Sequence, residues 1–456
     1  MKRSFYRWLA VSSLLCIAQA AQAETRPQYG GTLHVMMRAA PSSLDPADST
    51  QPDSFARRSL STMLFDELVV TDNSGRAKPA LAESWQAMRG NQRWQFRLRR
   101  GVTFDDGTPL TAEIAAASLR FANPAWNVTA ENETLVIDCK TPTPDLLMEV
   151  ALPRNAILKR DSVSAVSGTG PFRIVEWQAG KKLKLAAQEN YWGGRPFLDA
   201  IEIEMGRDFR DQMTALELGK ADLVEVAPEQ VRRISQDGRR LESSPPIELL
   251  ALLFTRDVSS PEEKSLREAL GWSIERGSIR SVLLQGAGQT TASILPTWMS
   301  GYGFVFPSGA DVEKARQLRS QVRTAPKWTL GYDANDTTTR WLAERISLNA
   351  RDAGLSLQPT SSTGADLRVV RIPLASADPW ITLQDVAARS GLPPIKNTNE
   401  SVEDLYDAER SLLAMERLIP LFHLPVTYSA PRLRDWTIRS DGSLDLTDAW
   451  LGSSTQ

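Results

Sequence analysis

The sequence predicts an α/β protein of two or three domains, and three observations carry that expectation. The chain has 456 residues, long enough for more than one hydrophobic core. Short runs in its first half alternate apolar and polar residues, the period of a half-buried strand. In its second half, helical stretches are each followed by a short strand.

In order along the chain, Gly30-Gly31 reads as a turn feeding a strand through Thr32-Leu33-His34-Val35-Met36, broken by Pro41 and Leu44-Asp45-Pro46. Ser54 to Asp66 reads as a helix, with Leu60, Met63 and Leu64 at helical spacing. Trp94 to Leu98 alternates and runs into an Asp105-Asp106-Gly107 turn. Thr111 caps an alanine-rich helix through Phe121. Further strands are expected at Leu135-Ile137, Phe172-Trp177, Lys182-Leu185 and Ile201-Glu204. Helices are expected at Arg210–Leu218, Pro261–Leu284, Asp311–Val322 and Thr338–Ala353, and strands at Trp328-Leu330 and Leu367-Val370.

The first 23 residues read as a cleaved export signal. Lys2, Arg3 and Arg7 precede an apolar run of about a dozen residues, too short to span a bilayer, and Ala21-Gln22-Ala23 supplies a small-x-small cleavage site before Glu24. Cys16 follows Leu15 rather than a small residue, so a soluble product is expected instead of a lipoprotein. Losing Cys16 leaves Cys139 as a lone thiol, with no disulfide and no cysteine metal site. The whole chain has 53 Lys+Arg against 55 Asp+Glu, and the leader removes only basic residues. The mildly acidic remainder speaks against nucleic acid as a partner.

Catalytic chemistry is thinly supplied. His34 and His423 are the only histidines and read as structural ones, in a strand and in the apolar stretch Ile419 to Leu424. There is no Gly-x-Ser-x-Gly elbow, His-Glu-x-x-His, phosphate-binding loop or dinucleotide fingerprint. Gly30-Gly31 and Gly193-Gly194 are accounted for as turns, and so is Asp105-Asp106. No cofactor and no metal site are expected.

An ordered set of motifs resembles the family 5 extracellular solute-binding proteins, the dipeptide- and oligopeptide-binding components of ABC importers. It comprises Gly30-Gly31-Thr32-Leu33, Phe65-Asp66-Glu67-Leu68-Val69, Pro79 to Trp85, and Phe96 to Phe104 followed by Asp106 to Ala112. Gly168-Thr169-Gly170-Pro171-Phe172, Asn190 to Gly194, Leu266 to Leu270 with Ile274-Glu275-Arg276, and Gly286 to Pro296 complete it. The resemblance implies a fold like the periplasmic binding proteins (type II, cluster C), two lobes joined by a hinge with an accessory α/β domain. It implies residues 24–57, 166–247 and 425–456 in domain I, 58–165 in accessory domain II and 248–424 in domain III. It further implies a monomeric periplasmic receptor, not an enzyme, that closes on a peptide or peptide-like solute and docks on a membrane permease.

Departures from the family pattern bear on the ligand. Peptide-binding relatives place an aspartate three residues before an Asp-Pro step, where it pairs with the ligand ammonium. Here the step is Asp378-Pro379 and the matching residue is Ala375; the usual Gly-Trp falls on Arg371-Ile372. An ammonium buried without a carboxylate is costly, so either the solute lacks a free amino terminus or another acid such as Asp378 substitutes. Arg371, if it faces the cleft, favours a carboxylate or phosphate. Arg38, after the first strand, Trp298 and Tyr302 at the rim, and Trp380 complete the expected ligand-binding set. Lys396 to Ser401 stands where relatives carry longer loops. The alternatives are a carrier of a metallophore, opine or oligosaccharide, and a fold relative acting as a chaperone or signalling module.

Overall fold

The computed structural model describes residues 26–72, 75–88, 90–160, 166–302, 306–395 and 401–452. The expected export signal and residues 396–400 of the shortened loop lie outside them.

Alternation in Thr32–Met36 puts Leu33 and Val35 on one buried face, and the strand pairs in parallel with Ala200–Glu204 and Leu223–Glu225. Lys182–Ala187 runs antiparallel between Ala200–Glu204 and Phe172–Gln178. These strands and the helix Phe55–Leu64 close a first core around Leu33, Leu60, Leu185 and Ile201. Across the same sheet, Lys327–Gly331 and Ser356–Thr360 pair in parallel, and Leu367–Pro373 joins them to the strand Leu241–Phe254. Helices cover both faces of this half. Leu250 and Leu252 face Leu266, Leu342 and Ile346 on one side, and Leu249 and Ala251 face Leu374 and Leu383 on the other. Strands buried on both faces read as continuous apolar runs rather than alternating ones.

A separate four-stranded antiparallel sheet, in the order Ala82–Met88, Arg93–Leu98, Thr134–Asp138, Asn127–Glu131, carries a third core with the helix Ala112–Ala122. Thr111 caps that helix, its hydroxyl accepting from the Ile114 amide at 3.3 Å. Three separate motifs meet at Asp66, between the first and third cores. Its buried carboxylate accepts from Thr169 Oγ1 at 2.9 Å, Tyr191 Oη at 3.0 Å and Trp192 Nε1 at 2.8 Å. A Cβ on Gly168 would stand 1.8 Å from the Leu64 carbonyl oxygen, so only glycine lets that strand pass the helix end. These motifs therefore hold the bodies together.

Two long strands, Leu241–Phe254 and Leu418–Ser429, run antiparallel from the first core into the second. At the crossing Pro246 stands opposite Pro425, and the register shifts on both sides of Pro246. Proline has no N–H to give the ladder. Local hydroxyls take over, with the Val426 amide donating to Ser244 Oγ at 3.0 Å and Ser243 Oγ lying 2.8 Å from Thr427 Oγ1. The connection between the two lobes is thus continuous in chain and interrupted in hydrogen bonding.

Candidate functional site

Arg38 follows the first strand, Asp336 opens the helix Thr337–Asp352, and Arg371 lies on Leu367–Pro373; the three meet between the lobes. Asp336 Oδ1 caps its helix, accepting from the amides of Thr338 and Thr339 at 3.0 and 3.2 Å. Its Oδ2 accepts from Arg38 Nη1 at 3.1 Å and Arg371 Nε at 2.8 Å. Arg371 Nη1 donates to Glu248 at 2.6 Å, while Nη2 is buried without a hydrogen-bond partner. Burial by itself would raise the pKa of Asp336, but Arg371 and Arg38 overcome it and hold the carboxyl below the usual range. Burial would also discharge Arg371; Glu248 and Asp336 keep it firmly protonated.

A cavity of about 430 Å³ opens where all three bodies come together. The loop and helix from Pro46 to Ser61 form one wall, Leu152 to Arg154 of the third body another, and Ala375, Asp385 and Arg389 of the second lobe the last. An ion-pair chain crosses it. Glu149 accepts from Arg154 at 2.7 Å, and Arg154 reaches Asp385 at 3.2 Å. Asp385 pairs with Arg389, Arg389 reaches Asp53 at 3.3 Å, and Asp53 pairs with Arg58 at 2.5 Å. Arg58 also donates to the carbonyl of Leu374 at 2.6 Å, anchoring the segment that carries Ala375. Arg57, its neighbour on the helix, donates to the carbonyls of Gln51, Asp45 and Asp48 at 2.9, 3.0 and 3.1 Å. Burial pulls its pKa below the usual arginine range, with Asp53, Asp48 and Asp45 only partly opposing. Its volume falls in the range of small-molecule sites, and its wall is more charged than most.

Of the residues singled out from sequence, Ala375 lines this cavity. Arg38 and Arg371 form the separate Asp336 cluster. Asp378 caps the helix Pro379–Arg389 through the amides of Trp380 and Ile381 at 2.9 and 3.0 Å, and burial raises its pKa against those bonds. Trp380 is buried beside Leu374 and Leu383. Trp298 is 42% exposed and donates to the Pro246 carbonyl at 3.1 Å, at the interlobe crossing. Tyr302 packs edge-on against Tyr406 at 5.4 Å, its hydroxyl buried without a hydrogen-bond partner. None of those last four lines the cavity, whose arginines come from positions no family motif marks. The one available signal was the adjacent pair Arg57-Arg58 on a helix that is otherwise mostly buried.

The histidines are held by structural partners. His423 is buried, bonded to the Ile294 carbonyl at 2.9 Å, and its pKa is pushed down to about 4 by burial. Half-exposed His34 lies 3.2 Å from Asp222. Among the described residues no three His, Cys, Asp or Glu side chains gather as a metal cage, and no helix is long and apolar enough to cross a membrane.

The chain is similar to nickel-binding protein NikA of Staphylococcus aureus, 28% identical over 243 residues, covering 50% of this chain and 49% of that protein. It is 27% identical to the nickel-binding periplasmic protein of Escherichia coli over 342 residues, 68% of this chain and 64% of that one. It thus spans about half to two thirds of the length of these relatives. Among solved structures, Staphylococcus aureus NikA with Ni(L-His)2 superposes with a TM-score of 0.81 at 18% identity, over 92% of this chain and 99% of that one. The dipeptide-binding protein of Pseudoalteromonas sp. SM9913 with Met-Leu gives 0.81 at 16%, over 92% and 100%. At such identities the likeness establishes the fold, that of the type II periplasmic binding proteins. The sequence profile of the bacterial extracellular solute-binding proteins, family 5 middle, matches residues 76–371, and the chain belongs to that family.

Proposed function

We propose that this chain is the exported solute-capturing component of an ABC importer. It closes two lobes over a small peptide-like solute in the cavity bounded by Arg58, Arg154, Ala375 and Arg389, and delivers it to a membrane permease. The observation that carries this reading is the cavity's construction, since each wall comes from a different body and a single ion-pair chain links them. Closing the lobes therefore assembles the site, and opening them at the proline-interrupted strands dismantles it. The Arg38–Asp336–Arg371 cluster is a second contact that holds the lobes together once shut. A metal, if carried, comes inside an organic chelate, because the described residues offer no ligand set of their own.

Denaturing the purified chain and identifying by mass spectrometry what it releases tests this reading. One small solute is expected. Adding it back to emptied protein should raise the melting temperature and contract the particle in X-ray scattering. Failure to release or bind anything from a panel of peptides, opines, oligosaccharides and metal chelates would overturn it. Export is checked separately by the N-terminus of protein recovered outside the cytoplasm, expected at Glu24.

A further inference from the structure

A second, smaller cavity adjoins the first. Its volume is about 20 Å³, room for one water-sized group, and Ala375 and Leu152 line both spaces. Glu67 and Leu152 form one side, Ala375 and Ser376 of the second lobe another, and Arg439 to Asp441 of the C-terminal segment the last. Glu67 is 3% exposed, and among the described residues the only hydrogen-bond donor at its carboxyl is its own backbone amide. Burial pushes its pKa up to about 8, with Arg439 opposing and Asp66 and Asp441 adding to the rise. Arg439 is the cation of the lining, and its Nε and Nη2 are already given to Asp445 at 3.2 and 3.0 Å. Asp441 Oδ1 accepts from the amide and hydroxyl of Ser443 at 3.0 and 2.7 Å. Glu67, Asp441 and Asp445 thus stand against one guanidinium. A water in this space satisfies hydrogen bonds but balances no charge, and a buried carboxylate is stable only beside a cation. At the neighbouring strand end Ala375 carries no acid, and Asp378 is engaged in capping its helix.

Resting on the receptor reading above, we infer that the solute carries a primary ammonium group, which enters the smaller cavity and pairs with Glu67 while the rest of the solute occupies the larger one. An ammonium is close to a water in size and has three N–H donors and no acceptor. Its bond to a carboxylate is charge-assisted on both sides, and Ser376 and Ser440 bring hydroxyl oxygens to the same wall. The walls come from both lobes, so the ammonium is enclosed only in the closed form.

Calorimetry on the purified chain, emptied of solute, tests this with four probes: Ala-Ala, N-acetyl-Ala-Ala, 5-aminopentanoate and pentanoate. Ala-Ala and 5-aminopentanoate, which carry the ammonium, should each bind about tenfold or more tighter than the partner that lacks it. Glu67→Gln, nearly equal in shape, should remove most of that difference; a thermal melt reports whether the variant folds. N-acetyl-Ala-Ala binding as tightly as Ala-Ala overturns the inference, and so does a well-folded Glu67→Gln that keeps the preference. A preference lost in Asp378→Asn and kept in Glu67→Gln overturns it as well, by assigning the ammonium to the other acid. A released solute that has no amine and rebinds leaves the receptor reading standing and removes this one, as does a released amine that Glu67→Gln binds unchanged. If nothing is released and no probe binds, both fall.

Discussion

Asp336 and Asp53 each take one guanidinium from their own lobe and one from the lobe opposite, Arg371 and Arg38 in the first case, Arg58 and Arg389 in the second. Their surroundings differ. The Asp336 side chain is 2% exposed, and Glu248 supplies a second carboxylate, so two cations meet two anions in a contact whose most exposed member is Arg38. The Asp53 side chain is a third exposed and stands on a cavity wall. The first contact is largely closed to solvent, whereas the second borders a cavity that a solute can enter. The same residue types serve as a clamp in one place and line a cavity in the other, and burial makes the difference.

The largest test of that contrast is Asp336→Ala. It strands Arg371 beside one remaining acid and uncaps the helix Thr337–Asp352. Removing one partner of a buried pair costs about 3–5 kcal/mol, and losing a cap adds about 1. Denaturant unfolding should show a loss of about 4 kcal/mol or more in total; a loss below about 1 would mean that water reaches Arg371 and that the contact is not sealed. Asp53→Asn should cost less, about 1–2 kcal/mol, because its surroundings are partly solvated. A loss as large as that of Asp336→Ala would mean that Asp53 is as closed to water as Asp336 and would end the comparison.

Strands such as Thr32–Met36 and Lys182–Ala187 and the helix cap at Thr111 were legible because each is a local matter of period or of one side chain. Pro261–Leu284 proved to be two helices, Pro261–Ser273 and Arg276–Val282. The two longest strands were not legible. Pro245, Pro246, Pro420 and Pro425 all speak against a central strand, yet they occur where the pair shifts register or lacks ladder bonds, and that interruption makes the crossing between lobes. The site was harder still. Asp53, Arg154, Asp385 and Arg389 are brought together from segments more than 300 residues apart at the extremes, with no spacing to betray them. Ala375 was found because it departs from a motif. The motifs themselves explained packing, as Asp66, Thr169 and Trp192 show.

A third carboxylate sharpens the contrast from the other side, because buried Glu409 has no cation partner among the described residues. Its Oε1 accepts from the amides of Ile294 and Leu295, its Oε2 has no hydrogen-bond partner, and burial pushes its pKa up to about 8 against those two bonds. The signs are therefore opposite. Asp336 titrates below its unfolded value, so its contribution is present at neutral pH and is lost as pH falls through the folded value. Glu409 titrates above its unfolded value of 4.5, so the unfolded chain ionises first and stability declines as pH rises from there to about 8. Glu409→Gln keeps an oxygen for the two amides and removes the titration. The amide nitrogen it places at the Oε2 position has no acceptor, which offsets part of the gain. The net change at pH 7.5 should be small, about 1 kcal/mol in favour of the variant. The diagnostic is the slope, since unfolding free energy between about pH 5 and 8 should fall less steeply in the variant than in the parent. Equal slopes would mean that Glu409 is ionised in the folded protein, and that a carboxylate can be buried in this lobe without the cation that Asp336 requires.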